Sequence, residues 1–524
     1  MRRLSQASRD HVQAVIERNR DLLLSIPNVL GAEPGFPIVE GKLLREPAII
    51  LFVANKLSVS RLLPEEFAPD EIDNVRVDVV QADPWKQVEL NPSLRSLQEE
   101  IEAAAAAVVP YEGLPNDPVD NSFEVSKPIL CSVGPDVGWT VLRRFLEGTR
   151  NTLSVAMYDF SADYISNTLI EVARENEVKV ALTLDDGIKP AEQAIQDRLE
   201  QKLGTLYDSE VIRCRKSMRF PTAYHEKVAV QDQARFWLSS GNWSPNSQPE
   251  IDPISNPGRG WFSKGNREWH VVVEDGPLAK LFERYIEHDK SESESDAALA
   301  VENDAPAFPD LFVPLQGLLS EAALAVQDPV PPESILTGPS VRVRPLLSPD
   351  NYARRISEWL RGAQESLDLQ YSYITYSTRP EDAAFKALLD ELGELSWRDD
   401  FTLRIIVASG NDDAIRVLGQ NGFNEAVFKV QSKIHNKGIV RDGREVLISS
   451  QNWSGDGFLR NRDAGLIIED REIAQYFARV FDDDWTLRSR PPFETAGLAA
   501  IIAPDDAVPP PGMVRMSWSD FFGE

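Results

Sequence analysis

Cysteine is nearly missing from this chain of 524 residues: Cys131 and Cys214 are its two. That excludes a disulfide framework and a cysteine-based metal cluster, and it fits a reducing compartment. Histidine is scarce too, with five in all, so any that recur at equivalent places carry weight. No run approaches the roughly 18 apolar residues of a membrane span; AAAAAVV at Ala103 and AGLAAIIA at Ala496 are too short. The opening MRRLSQASRDH has three arginines and no apolar core behind them. No signal peptide is expected, and the chain reads as cytoplasmic. Positive charge is also in deficit, 55 Lys and Arg against 83 Asp and Glu, for a net charge of -28. Such a surface repels nucleic acid and anionic membranes over most of its area. One local exception is VIRCRKSMRF, which places Arg213, Arg215, Lys216 and Arg219 just ahead of His225. It reads equally as an anion-attracting rim or a solvated strand edge.

What is present is a duplication. YHEKVAVQDQARFWLSSGNWS (Tyr224 to Ser244) returns as IHNKGIVRDGREVLISSQNWS (Ile434 to Ser454). His225, Lys227, Asp232, Ser240 and Asn242 hold the relative positions of His435, Lys437, Asp442, Ser450 and Asn452, at an offset of 210. Downstream, GNREWHVVVED answers RNRDAGLIIED at an offset of 195, and the match continues to Asp289 and Asp484. The first copy therefore carries fifteen extra residues, within SPNSQPEIDPISNPGRGWFSKGN.

With 42% hydrophobic residues and this length, the chain can bury two or three cores. Residues 1–95 read as a small α+β module: an amphipathic helix over 7–26, then strands in NVLGAEPGFPIVEG, EPAIILFVANKL and VRVDVVQA. Its NVLGAEPGF and PAIILFVANK segments resemble a small module found ahead of the catalytic part in some bacterial hydrolases. Residues 96–127 supply a linker, with a helix expected near Leu94 to Val108. The halves follow at 128–289 and 341–488, joined by a linker over 290–340 whose LFVPLQGLLSEAALAV is apolar enough to dock. In each half, strands alternate with helices, as in LSVAMYDF and LDLQYSYI, which predicts parallel βαβ units. The Pro-rich tail 489–524 is expected to lack a core of its own.

The two copies resemble the phospholipase D superfamily, whose signature is H-x-K-x4-D followed by G-S-x-N and N-x-E/D elements. Both copies match from about Ile129 to Arg488, with Ser239 and Ser449 in place of the glycine. The resemblance implies an α/β fold: two α/β/α sandwich halves about a pseudo-twofold axis, behind the small α+β domain. It implies a phosphodiesterase. A phosphodiester repels nucleophiles, so its site must neutralise the nonbridging oxygens, supply a nucleophile and protonate the departing alkoxide. Two imidazoles suit the nucleophile and the acid; Lys227 and Lys437 supply charge, and Ser240, Asn242, Ser450 and Asn452 supply donors. Near symmetry leaves the two histidine roles open. The resemblance implies that His225 attacks, through a covalent phosphohistidine, and that His435 is the acid. It also implies that Glu268 and Asp463 orient the histidines, and that Asp232 and Asp442 are structural partners beside the site.

No cofactor is expected, and no metal, because lysine is a poor ligand for a hydrolytic ion and no third histidine or cysteine stands close in sequence. His11, His270 and His288 read as surface or satisfied core, and Trp243 and Trp453 as packing. A phospholipid is the preferred substrate. The inserted loop offers Trp261 and Phe262 beside Arg259 and Lys264, either to cover acyl chains or, the favoured reading, as a flap packed on its own domain. Nucleic acid is the alternative substrate, and a regulatory scaffold using the N-terminal module and tail is the alternative of another class.

Overall fold

The computed structural model describes residues 3–56, 62–96, 111–116, 118–214, 218–256, 260–297, 309–314, 328–335, 338–377, 379–493, 500–504 and 507–516. The opening segment forms two helices, Gln6–Arg18 and Arg20–Ser25, in place of the single helix expected over 7–26. The break falls at Asn19, whose side-chain amide donates back to the Val15 carbonyl (3.0 Å), the kind of local bond that competes with helix continuation. Val12, Val15, Ile16 and Leu23 pack on Ile49 and Leu51 of a four-stranded sheet, ordered Val29–Gly35, Ala48–Val53, Val75–Gln81, Glu71–Ile72. The module is docked on the second half: Arg45 donates to the carbonyls of Gly419 and Phe423 and lies over the Trp397 ring. Most of the helix expected near Leu94 to Val108 lies outside the described residues.

Each half is built on an eight-stranded sheet, and the two sheets have the same order. The first runs Tyr207–Ile212, Lys179–Asp185, Thr152–Met157, Lys227–Gln231, Arg235–Ser239, Glu268–Val273, Ile129–Gly134, Glu333–Ile335. The second runs Phe428–Gln431, Thr402–Ala408, Ser366–Tyr371, Lys437–Arg441, Glu445–Ser449, Asp463–Glu469, Val341–Ser348, Phe123–Val125. Only the first three strands of each are mutually parallel, so the expected βαβ units account for one end of each sheet. The rest is antiparallel, because the repeated motif itself is a hairpin. Asp232 and Gln233 (φ 52° and 54°), and Asp442 and Gly443 (φ 52° and 59°), are the central pairs of its turns, closed by the Ala234 N–H on the Gln231 carbonyl and the Arg444 N–H on that of Arg441 (each 3.0 Å). Two successive positive φ values match the twist of the flanking strands.

The outermost strands are exchanged. Phe123–Val125 precedes the first half but pairs with Val341–Ser348 of the second, while Glu333–Ile335 precedes the second half but pairs with Ile129–Gly134 of the first. Between the halves lies one apolar core to which both contribute, including Val228, Phe236 and Phe282 from one and Val440, Ile448 and Phe477 from the other. Trp269 and Phe477 meet there with ring centroids 4.8 Å apart.

The segments read as linker and tail are partly structured. Leu311–Pro314 is a strand between Ile501–Ile502 and Met513–Met516, and Leu311, Val313 and Ala500 share a small core with Val88 of the helix Pro84–Leu90. The tail has no core of its own: it shares one built from the linker and the N-terminal module. The remainder of LFVPLQGLLSEAALAV lies outside the described residues.

The signature aspartates belong to the fold. Asp232 accepts the backbone N–H groups of Arg150, Asn151 and Thr152, and Asp442 those of Gln364, Glu365 and Ser366, at 2.6–3.0 Å. They sit past the far ends of the strands that begin at Lys227 and Lys437, not beside the site as expected, and they fasten each hairpin to the start of the neighbouring strand. Asp442→Ala should cost on the order of 1 kcal/mol, read as a lowered melting temperature, while turnover per folded molecule stays near that of the parent.

Candidate active site

The two histidines are placed by the opposite half. The backbone N–H of His225 donates to the Arg462 carbonyl (2.7 Å), and that of His435 to the Arg267 carbonyl (3.2 Å). Reciprocally, Arg462 N–H donates to Ala223 (2.9 Å) and Arg267 N–H to Lys433 (2.6 Å). The side chains cross as well: Nδ1 of His225 is 2.7 Å from Oδ1 of Asp463, and Nδ1 of His435 is 2.7 Å from Oε1 of Glu268. A carboxylate on Nδ1 assigns the proton to that nitrogen and leaves Nε2 with its lone pair. Glu268 and Asp463 thus each reach the histidine of the other copy, a partnership that chain position alone does not reveal.

Burial lowers both imidazoles. His225 falls to about 4 through burial and the neighbouring Lys227 charge, against the pull of Asp463; His435 is lowered by burial, against Glu268. Burial also pushes Lys227 well below the usual ammonium range and brings Lys437 to about 8. Burial alone would raise Glu268, but His435, Lys437 and the Ser240 hydroxyl outweigh it and hold the carboxyl at about 2. Lys227 donates to its neighbouring His225 carbonyl (2.7 Å) and lies over the Tyr158 ring; Lys437 sits 3.0 Å from Nε2 of His435.

Ser240 and Ser450 do not present their hydroxyls to the site. They donate to Glu268 Oε2 and Asp463 Oδ1, each at 2.6 Å, and accept the next backbone N–H, so they brace the carboxylates. Asn242 and Asn452 are buried, and among the described residues their Oδ1 atoms and Nε2 of His225 have no hydrogen-bond partner. Those orphaned polar atoms belong to the same motifs as the two lysines.

Trp243 and Trp453 are packing residues, fully buried against Phe160 and Tyr371. His270 is buried, with Nδ1 2.6 Å from the Ser239 hydroxyl; its Nε2 has no partner among the described residues. Trp261 is only 8% exposed, and the Arg488 guanidinium lies 5.3 Å from its ring and 5.2 Å from that of Phe262. The inserted loop is closed onto the second half, which neither sequence reading of it anticipated; Arg259 lies outside the described residues. In the basic run, Arg219 pairs with Glu292 (2.6 Å), and Arg215 and Lys216 lie outside the described residues.

Two residues that sequence reasoning passed over hold the arrangement. Buried Arg267 joins Asp136 to Asp484, and buried Arg462 joins Asp350 to Asp289, so each guanidinium bridges the halves. Their signal was available: they sit inside N-x-E/D at the 195 offset, and Asp289 and Asp484 are its last matched pair. Among the described residues, one group could gather ligand atoms for a metal: Asp185, Asp186 and Cys214. Asp185 is already occupied by the N–H groups of Tyr224 (2.8 Å) and Gly187 (2.9 Å). The sulfur of Cys214 is free of any disulfide.

The family described as cardiolipin synthase, PLD-like domain, matches residues 142–290 and 356–485, one segment in each half and together more than half of the chain. The chain belongs to the phospholipase D superfamily. It is an internally duplicated member and a phosphodiesterase-type enzyme. No curated protein matches it in sequence. Among solved structures it is similar to phosphatidylserine synthase from Haemophilus influenzae Rd KW20: 13% identity, 70% of this chain and 90% of that one, TM-score 0.45. Nuc from Salmonella typhimurium is similar at 15% identity over 32% of this chain and 96% of its own (TM-score 0.25). NucT from Helicobacter pylori is similar at 17% over 33% and 98% (TM-score 0.25). No helix among the described residues is long and apolar enough to cross a membrane.

In this phosphodiesterase the two copies of G-S-x-N differ at x for a steric reason. A Cβ on Gly241 would lie 2.6 Å from Cδ of Glu268, whereas the second copy carries Gln451 opposite the shorter Asp463. Gly241→Ala should therefore displace Glu268 from His435 and lower turnover at least tenfold, with the circular dichroism spectrum retained. Gln451→Ala, which removes bulk, should stay within a few-fold of the parent. Both are read by steady-state hydrolysis of a soluble diester.

Proposed function

We propose that the enzyme cleaves a phosphodiester through a covalent phosphohistidine on His225, with His435 as general acid and then base, and that its substrate is a phospholipid. The observation that carries the mechanism is the pair of crossed imidazole–carboxylate contacts, which turn both Nε2 atoms into reactive positions. Nε2 of His225 attacks phosphorus as the P–O bond to the alcohol breaks, and the alkoxide takes a proton from Nε2 of His435. Water, losing a proton to His435, then attacks phosphorus and breaks the P–N bond, which restores neutral His225 and releases the phosphomonoester. Lys227 and Lys437 neutralise the nonbridging oxygens, and the Asn242 and Asn452 amides donate to them. Glu268 and Asp463 stabilise each imidazolium as it forms, as does the carboxylate of a catalytic triad.

His225 is the better nucleophile because it is the more deeply buried, at 1% exposure against 8% for His435. Burial first, and Lys227 second, keep it neutral down to about pH 4. The lipid preference is supported by the family's description and by the net charge of -28, which disfavours a long polyanion. Trp261 adds nothing to it, being spent on Arg488. No step needs a metal ion, and a cytoplasmic location remains part of the proposal.

The sign of the pH dependence follows. The attacking imidazole must be neutral, so kcat/KM should fall as pH drops through about 4, where His225 takes a proton. The donor must be protonated, and His435 is depressed below its ordinary 6.5, so kcat/KM should also fall as pH rises, on a limb below that value. A soluble diester with an alkyl leaving group should show an acidic optimum between the two; an alkaline optimum would sink the assignment. Activity should also survive excess chelator.

His225→Ala and His435→Ala should each lower turnover by several powers of ten, with the double variant little worse, because groups acting as a unit are not additive. Two independent sites would leave each single variant near half activity. Head-group release from phospholipid vesicles, measured beside degradation of single-stranded and duplex nucleic acid, tests the substrate class; cleavage of nucleic acid alone would replace lipid by nuclease activity.

A further inference from the structure

The two crossed carboxylates are unequally occupied. Glu268 accepts three side-chain donors: Nδ1–H of His435 at Oε1 (2.7 Å), the hydroxyl of Ser247 at the same oxygen (2.9 Å), and Ser240 at Oε2 (2.6 Å). Asp463 accepts two, His225 (2.7 Å) and Ser450 (2.6 Å), both at Oδ1; among the described residues its buried Oδ2 has no partner. The additional donor comes from the inserted loop. Ser247 is 2% exposed, and its counterpart at the 210 offset is Gly457. No side chain fits there, since a Cβ on Gly457 would lie 2.4 Å from the Asn452 carbonyl oxygen. The difference between the halves is thus built into their backbones.

We propose that Ser247 is the positioning residue that makes the two imidazoles unequal, by holding a lone pair of Glu268 for which Asp463 has no equivalent donor. A carboxylate that accepts another hydrogen bond is less basic and stabilises a neighbouring imidazolium less. Ser247 makes His435 a stronger acid than Glu268 would otherwise leave it, suited to protonating an alkoxide, while Asp463, lacking such a donor, leaves the full pull of its carboxylate on the His225 ring that attacks phosphorus. The inference rests on the histidine roles proposed above and gives them a physical origin. The charged groups facing His435 are Glu268, Lys437 and Lys227; those facing His225 are Asp463, Lys227 and Lys437; His270 also lies within the field of Glu268.

The test compares Ser247→Ala, Ser247→Thr and the parent on two soluble diesters, one with a 4-nitrophenyl leaving group, which departs without a proton, and one with an alkyl leaving group. In Ser247→Ala, the descending limb of kcat/KM for the alkyl diester should move up by roughly half a pH unit, and its rate below the optimum should fall roughly threefold or more. The nitrophenyl diester should be cleaved at nearly the parent rate, and Ser247→Thr should restore the parent profile. Equal losses on both diesters with an unmoved limb would mean that Ser247 merely anchors its loop, and would overturn the proposal. If Ser247→Thr does not fold, the Ser247→Ala comparison still decides. Single-turnover labelling of the parent, quenched in denaturant at alkaline pH to keep the P–N bond, separates the two layers: a phosphoryl label on His435 would overturn the role assignment itself, whereas a label on His225 with an unmoved limb would overturn only the part given to Ser247.

Discussion

Everything at this site depends on a carboxylate from one half reaching an imidazole in the other. Asp463 holds His225 and Glu268 holds His435, each over 2.7 Å, and the adjoining backbone bonds tie the same segments across the same boundary. Neither half could orient its own histidine, because the acidic residue at the corresponding place in its sequence points away to the partner copy. The shared apolar core therefore supports the chemistry directly: a small shift of one sheet against the other would lengthen both contacts at once.

The arginines of the same two motifs carry that constraint deeper. Arg267 and Arg462 are buried, and each joins an aspartate of its own half to one of the other. A buried ion pair adds little to stability beyond what apolar residues of the same volume would contribute, yet removing one partner strands a charge, at a cost of roughly 3–5 kcal/mol. Such pairs act as registers more than as glue, since they are satisfied in one relative placement of the halves. Around Arg462 the acidic side is in excess, with Glu226 alongside Asp289 and Asp350, and burial lifts Glu226 to about 8.

Much of this was legible in the sequence because duplication prints functional residues twice. The histidines, lysines and asparagines were named from spacing, as were the paired helices and strands of the two sheets, and the carboxylates from the family resemblance. What spacing could not supply was direction. A repeat offset says that Glu268 and Asp463 are equivalent, but not that each turns to the other copy. Ser240 and Ser450 read as phosphate donors, and they face carboxylates because the strand that ends just before each serine lies beside the one that begins at its carboxylate. Asp232 and Asp442 travel with the motif for a local reason, the hairpin turn, which Asp442-Gly443 announces by itself. The sheet that tail and linker share was hidden because each is short and Pro-rich alone, and it joins segments nearly two hundred residues apart.

The exchanged outer strands bear on how such a chain is made. The first half's sheet has its eighth place filled by Glu333–Ile335, which a ribosome adds after that half's own last matched residue, Asp289, has been joined to the chain. Phe123–Val125, made before either half, pairs with a strand that starts at Val341. The first sheet thus keeps an open edge at Ile129–Gly134, and Phe123–Val125 stays an unpaired strand, until both find partners within one short stretch of chain. A nascent chain that stops short of that stretch carries one open sheet edge and one unpaired strand into the cell.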